Sequence, residues 1–84
     1  AGISSKGKTK IFINGRNRIP DKLTDGVLTE VKNVKYISNT QQLKDFADFA
    51  HQTGRQLELY VRPKTQVAKT LIDAGWNIKY LWLE

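Results

Sequence analysis

Cysteine is absent from this 84-residue chain, and histidine occurs once, at His51. That excludes a disulfide framework, a thiolate metal site and a thiol nucleophile, and it rules out a site built from several histidines. No apolar run approaches the ~20 residues that a membrane-spanning helix needs. No signal peptide is recognisable, and the first residue is Ala1 rather than Met, so the chain is expected to be a piece of a longer protein. Acidic residues are scarce at the start, where Asp21 is the sole carboxylate among residues 1–24.

What is present is the balance of a folded domain, with 39% apolar and 26% charged residues. The length allows one domain, close to the lower limit for a core that is stable unaided. Fourteen Lys and Arg against eight Asp and Glu give a net charge of +6. Lys6, Lys8, Lys10, Arg16, Arg18 and Lys22 face only Asp21 in the first 24 residues, a local +5, while the remainder carries +1. Such a field attracts phosphate backbones or acidic proteins, and a solvated basic face is the plainer explanation.

The pattern predicts a flexible lead-in over residues 1–8 and a single domain over 9–84. Thr9 to Asn14 alternates as a strand, with Ile11 and Ile13 on one side and Phe12 on the other. Asn17 to Thr24 and Val27 to Val34 read as two more strands, joined by Asp25-Gly26 in a tight hairpin turn. Leu43, Phe46, Ala47 and Ala50 recur at helical spacing within Thr40 to Thr53, and Gly54 ends that helix. Gln56 to Arg62 alternates as a strand and Pro63 stops it. Thr65 is expected to cap a helix running to Ala74, and Trp76 to Leu83 forms a last, aromatic strand. The order is β-β-β-α-β-α-β, an α/β fold with a mixed sheet, antiparallel at its start, and helices packed on it.

With Asp25 and Gly26 as the loop, Asp21 lies opposite Glu30, and Lys32 follows one pleat along on the same face. Cross-strand Cβ atoms are roughly 5 Å apart, so the two carboxylates repel unless a cation sits between them. A divalent metal with oxygen ligands at ~2.1 Å fits that spacing. The opposite face, with Pro20, Val27 and Val31, suits packing beneath a helix. Two acids, a lysine and a metal match the needs of phosphodiester cleavage. A solvated face explains Glu30 and Lys32 equally simply when they are taken alone.

Ile19-Pro20-Asp21 followed by Glu30-Val31-Lys32-Asn33 resembles the PD-(D/E)xK signature of restriction-endonuclease-like nucleases. Arg18 to Asp21, Glu30 to Asn33 and Thr40-Gln41-Gln42-Leu43 are closest to the nuclease domains of bacterial polymorphic and contact-dependent growth inhibition toxins. The resemblance implies a minimal restriction-endonuclease-like fold, in which the family's usual first helix is missing. It implies an endonuclease toxin that takes Mg²⁺, Mn²⁺ or Zn²⁺, with Asp21, Glu30 and the Val31 carbonyl as ligands and Asp21, Glu30 and Lys32 as catalytic residues. Gln42 would orient substrate or the lysine, or is a polar first-turn residue. The expected substrate is DNA in preference to tRNA. The toxin would be delivered as the C-terminal part of a larger protein, act in the cytoplasm of a target bacterium, and be held by an acidic cognate immunity protein.

Arg16 and Arg18 could grip nucleic-acid phosphate, and so could Arg62 and Lys64 after the fourth strand. His51 falls late in the first helix, where its charge suits the helix dipole. Trp76, Tyr80 and Trp82 share one side of the last strand, where core or interface packing is favoured over base stacking. A non-catalytic basic nucleic-acid-binding module, or an interaction domain meeting an acidic protein, are the readings from other classes. Metal-dependent turnover separates the enzyme from both.

Overall fold

In the computed structural model, which describes residues 9–81, turn chemistry sets the first elements. The lead-in over residues 1–8, and Trp82 and Leu83 of the expected last strand, lie outside the described residues. Strands β1 (Ile11–Ile13) and β2 (Arg16–Arg18) form a hairpin in which Ile13 pairs with Arg16. Its two loop residues, Asn14 and Gly15, both have positive φ, at 54° and 77°, as a type I′ turn demands. Ile11 and Ile13 are buried and Phe12 is exposed, as alternation predicts.

β3 (Lys22–Leu23) and β4 (Val27–Lys32) are antiparallel, with Lys22 opposite Thr29 and Leu23 opposite Leu28. The Thr24 amide donates to the Val27 carbonyl at 2.9 Å, which closes the Asp25-Gly26 turn in the expected register. The single strand expected over Asn17–Thr24 is instead two strands in two different sheets. Pro20, between them, has no N–H for a ladder, so pairing cannot run through it.

The main sheet has the order β3-β4-β6-β8, with β6 (Gln56–Val61) and β8 (Trp76–Tyr80) parallel to β4. Helix α1 (Gln41–Thr53) crosses from β4 to β6. The Thr40 side chain caps it by accepting from the Leu43 amide, and Gly54, at φ 72°, closes its far end. Helix α2 (Lys69–Asp73) crosses from β6 to β8 and is shorter than expected. Thr65 does not cap it: its hydroxyl donates to the Val34 carbonyl at 2.7 Å. Gln66–Val67 becomes β7, paired in parallel with β5 (Tyr36–Ile37), and both were expected as helix or loop. The observed order is therefore β-β-β-β-β-α-β-β-α-β. No helix among the described residues is long and apolar enough to cross a membrane.

Leu28, Leu57, Leu59, Val61 and Trp76 of the sheet share one buried cluster with Leu43, Phe46, Ala47 and Ala50 of α1 and Leu71 of α2. Each large apolar side chain so buried stabilises the fold by roughly 2 kcal/mol before entropy is counted. Glu30 and Lys32 stand two and four residues beyond Leu28, on this helix-covered face. The expectation that Val27 and Val31 lie beneath a helix is overturned, since Val31 is 45% exposed. Both crossovers step in the same direction across the sheet, and right-handed connections then lay both helices on one face.

Candidate active site

Lys32 ends β4, beside Val61 at the end of β6. This is the carboxyl end of the parallel strands, where open α/β sheets present their ligand sites. The β3–β4 register, carried two pairs further, sets Asp21 against Glu30 and then Pro20 against Val31. Pro20 cannot donate, and two side chains complete the pairing instead. The Asp21 amide donates to Glu30 Oε1 at 2.7 Å, and the Val31 amide donates to Asp21 Oδ2 at 2.8 Å. Each carboxylate is thus held by the main chain of the opposing strand. The Val31 carbonyl, aimed at the same edge, receives no ladder bond from Pro20.

Glu30 is 2% exposed although its side chain is ionisable. Burial raises its pKa above the ordinary carboxylate value and the nearby Asp21 charge adds to this, while the Asp21 amide and Lys32 act in the opposite sense. Lys32 Nζ lies 3.5 Å from Glu30 Oε2 and donates to Gln42 Oε1 at 3.1 Å. Gln42 stands in the first turn of α1, so the helix N-terminus fixes where the ammonium sits. The structure therefore brings together Asp21, Glu30, Lys32 and Gln42. They straddle the sheet edge: Asp21 borders an open-face hollow with Thr29, Val31, Glu58 and Tyr60, whereas Lys32 and Gln42 border another on the helix side with Tyr36 and Thr40.

Arg16 and Arg18 are placed elsewhere. Both converge on Asp45 in the middle of α1, Arg16 through Nε and Nη2 at 2.8 Å each and Arg18 through Nε at 2.9 Å. Asn14 and Gln41 each donate to Asp45 Oδ1 at 3.0 Å. The Asp45 side chain has no exposed surface, and the Arg16 guanidinium, ahead of the other donors, holds its carboxyl well below the usual range. Asp45 was missed in the sequence. Its signal was a charge set among Leu43, Phe46 and Ala47 on the buried helix face, a position that demands a cationic partner.

His51 lies in the last turn of α1, at the end remote from Gln42, against Gly75, where an added Cβ would stand 3.3 Å from its Nε2. Trp76 is buried in the core, and Tyr80 is exposed. Among the described residues no group of three or more His, Cys, Asp or Glu gathers as a closed metal site. Asp21, Glu30 and the Val31 carbonyl are oxygen donors only. That set fits a hard cation of the Mg²⁺ or Mn²⁺ kind, which keeps water and takes substrate phosphate, better than a nitrogen- and sulfur-bound zinc.

The family model of Tox-REase-7, described as restriction endonuclease fold toxin 7, matches residues 1–71. No curated protein and no solved structure gives a significant match.

Proposed function

The chain belongs to the restriction endonuclease fold toxin 7 family, and from that membership we propose that it is a divalent-metal-dependent nuclease whose active site is the Asp21–Glu30–Lys32 cluster. The reading is of a toxin that hydrolyses phosphodiester bonds in the nucleic acid of a target bacterium, with DNA favoured over tRNA. Supporting it above all is the joined set at the carboxyl end of β4, where Lys32 Nζ reaches both Glu30 and Gln42.

Asp21, Glu30 and the Val31 carbonyl would hold the metal. When bound, such an ion polarises a phosphoryl oxygen and acidifies water. The chain's own contribution is positional. Lys32 has three N–H donors; Gln42 takes one and Glu30 faces another, which leaves a third for a phosphate oxygen as its charge grows. Gln42 keeps the ammonium from collapsing fully onto Glu30. Because both carboxylates accept main-chain N–H bonds, neither needs to reorganise when substrate arrives.

The test is incubation of the protein with plasmid DNA and total RNA, with and without Mg²⁺, Mn²⁺ or Zn²⁺. Cleavage is expected only with metal. Lys32→Ala is expected to lose about 10²-fold or more in rate while keeping its fold and its nucleic-acid affinity. Cutting by Lys32→Ala at the parental rate would sink this site assignment. Binding without turnover under every metal would make the protein a binding module.

A further inference from the structure

We propose that Lys35, Arg62 and Lys64 form a phosphate-binding pocket that holds a backbone phosphodiester of the nucleic-acid substrate beside the one at Lys32, an inference that rests on the nuclease reading. Asn33, Val34, Lys35, Arg62, Lys64 and Thr65 line an open hollow of about 190 Å³. Three of the six are cations and none is acidic. Among the described residues none of the three cations makes an ion pair with a carboxylate, in contrast to Arg16 and Arg18.

Arg62 supplies the sharper observation. Its Nε is buried and has no hydrogen-bond partner among the described residues. A buried donor without an acceptor is costly, and a charged one more so, unless a ligand completes it. A phosphate oxygen is the acceptor that a guanidinium fork fits best.

The pocket is also prearranged. The Thr65 amide donates to the Arg62 carbonyl at 3.0 Å, so residues 62–65 form a tight turn with Pro63 presetting φ at its second position. The Thr65 hydroxyl donates to the Val34 carbonyl at 2.7 Å, and the Gln66 amide to the Lys35 carbonyl at 2.9 Å. These bonds lock the loop after β6 onto the loop after β4. Three like charges are thereby held together with no described carboxylate paired to them, an arrangement that an anion stabilises and that apolar packing does not require.

Location ties the pocket to the active site. Asn33, Val34 and Lys35 follow directly on Lys32, and three extended residues span at most about 10 Å. Val34 borders both this hollow and the one at Lys32 and Gln42. A polynucleotide lying along the carboxyl edge of β4 and β6 would place one phosphate at Lys32 and a neighbouring one here.

The experiment measures binding of a short DNA duplex and of an RNA hairpin in the presence of a chelator, across a salt series. Arg62→Met is the main variant, because it keeps the apolar stem and removes the buried donor; Lys35→Gln and Lys64→Gln support it. Arg62→Met is expected to weaken binding about tenfold at low salt and to flatten the salt slope by about one unit. Its Tm should be unchanged or higher, whereas a structural role for Arg62 would lower it. Parental affinity and slope in Arg62→Met, or a loss of affinity matched by a loss of Tm, overturns the pocket. A parallel NMR titration follows the Arg62 Nε–H signal with inorganic phosphate. Saturation by free phosphate at concentrations as low as those of the oligonucleotide would assign the pocket to a free anion and overturn the nucleic-acid source. If the parental protein cuts with metal while Arg62→Met binds normally, only this inference fails. If the parental protein neither binds nor cuts, the nuclease reading fails and takes the pocket with it.

Discussion

Glu30 carries the largest tension in the cluster. It is an ionisable group with almost no exposed surface, its pKa is raised mainly by burial, and its cationic neighbour is only within 3.5 Å. A raised carboxyl pKa means the folded chain holds the proton more tightly than the unfolded one. Stability from that proton is fully present below the unfolded value and is lost as pH rises through the folded value. Glu30→Gln keeps an acceptor for the Asp21 amide while removing the charge. It should therefore raise Tm by a few degrees near neutral pH without metal, and the gain should shrink as pH falls through the folded-state pKa of Glu30. Paired melting curves across pH check this, and a gain that grew toward acid would contradict the assigned shift. The juxtaposition of Asp21 and Glu30 was legible in the sequence because the Asp25-Gly26 turn fixed the register. The reciprocal bonds were not, since they depend on which oxygen each amide finds.

Between elements, the strongest joint is the one the sequence concealed. Asp45 of α1 accepts from Asn14, Arg16, Arg18 and Gln41, and so fastens the β1–β2 hairpin to the helix. The partners Arg16 and Arg18 lie 29 and 27 residues away, beyond the reach of any local pattern. Both arginines, expected as substrate contacts, are engaged by Asp45, and Arg16→Ala is expected to lose stability. Asp45→Ala should cost about 2–3 kcal/mol, discounted from a fully buried pair because both guanidiniums are partly exposed. Amide exchange should quicken first across Ile11–Ile13 and Arg16–Arg18, and a variant with unchanged exchange there would refute the fastening role. Because the Asp45 pKa is lowered, its contribution is present above the ordinary value of 3.8 and is lost as pH falls below it. The shortened α2 and the split of Asn17–Thr24 have different causes: bonds from Thr65 and Gln66 to Val34 and Lys35 overrode local helix propensity, whereas Pro20 interrupted the ladder of the expected strand.

At the scale of the whole molecule, the net charge of +6 survives, but its distribution does not follow the sequence. Arg16 and Arg18 are partly neutralised by Asp45, while Lys35, Arg62 and Lys64, spread through a nearly balanced stretch, converge with no ion-paired carboxylate among the described residues. An inhibitor matched to this surface should be acidic, and its complex should form more slowly as salt is raised. Isolation of a cognate inhibitor with positive net charge and salt-insensitive association would argue against that surface as its target. The side-chain exchange at Pro20 also ties the strand register to the pairing of two side chains. Slipping β3 by one residue along β4 would turn Asp21 away from the Val31 amide and strand Glu30 without its donor, so neither bond could form alone in the wrong alignment. The same two bonds that seat the carboxylates thus act as a proofreading device. A chain folded out of alignment would lose both bonds, and with them the juxtaposition of Asp21 and Glu30.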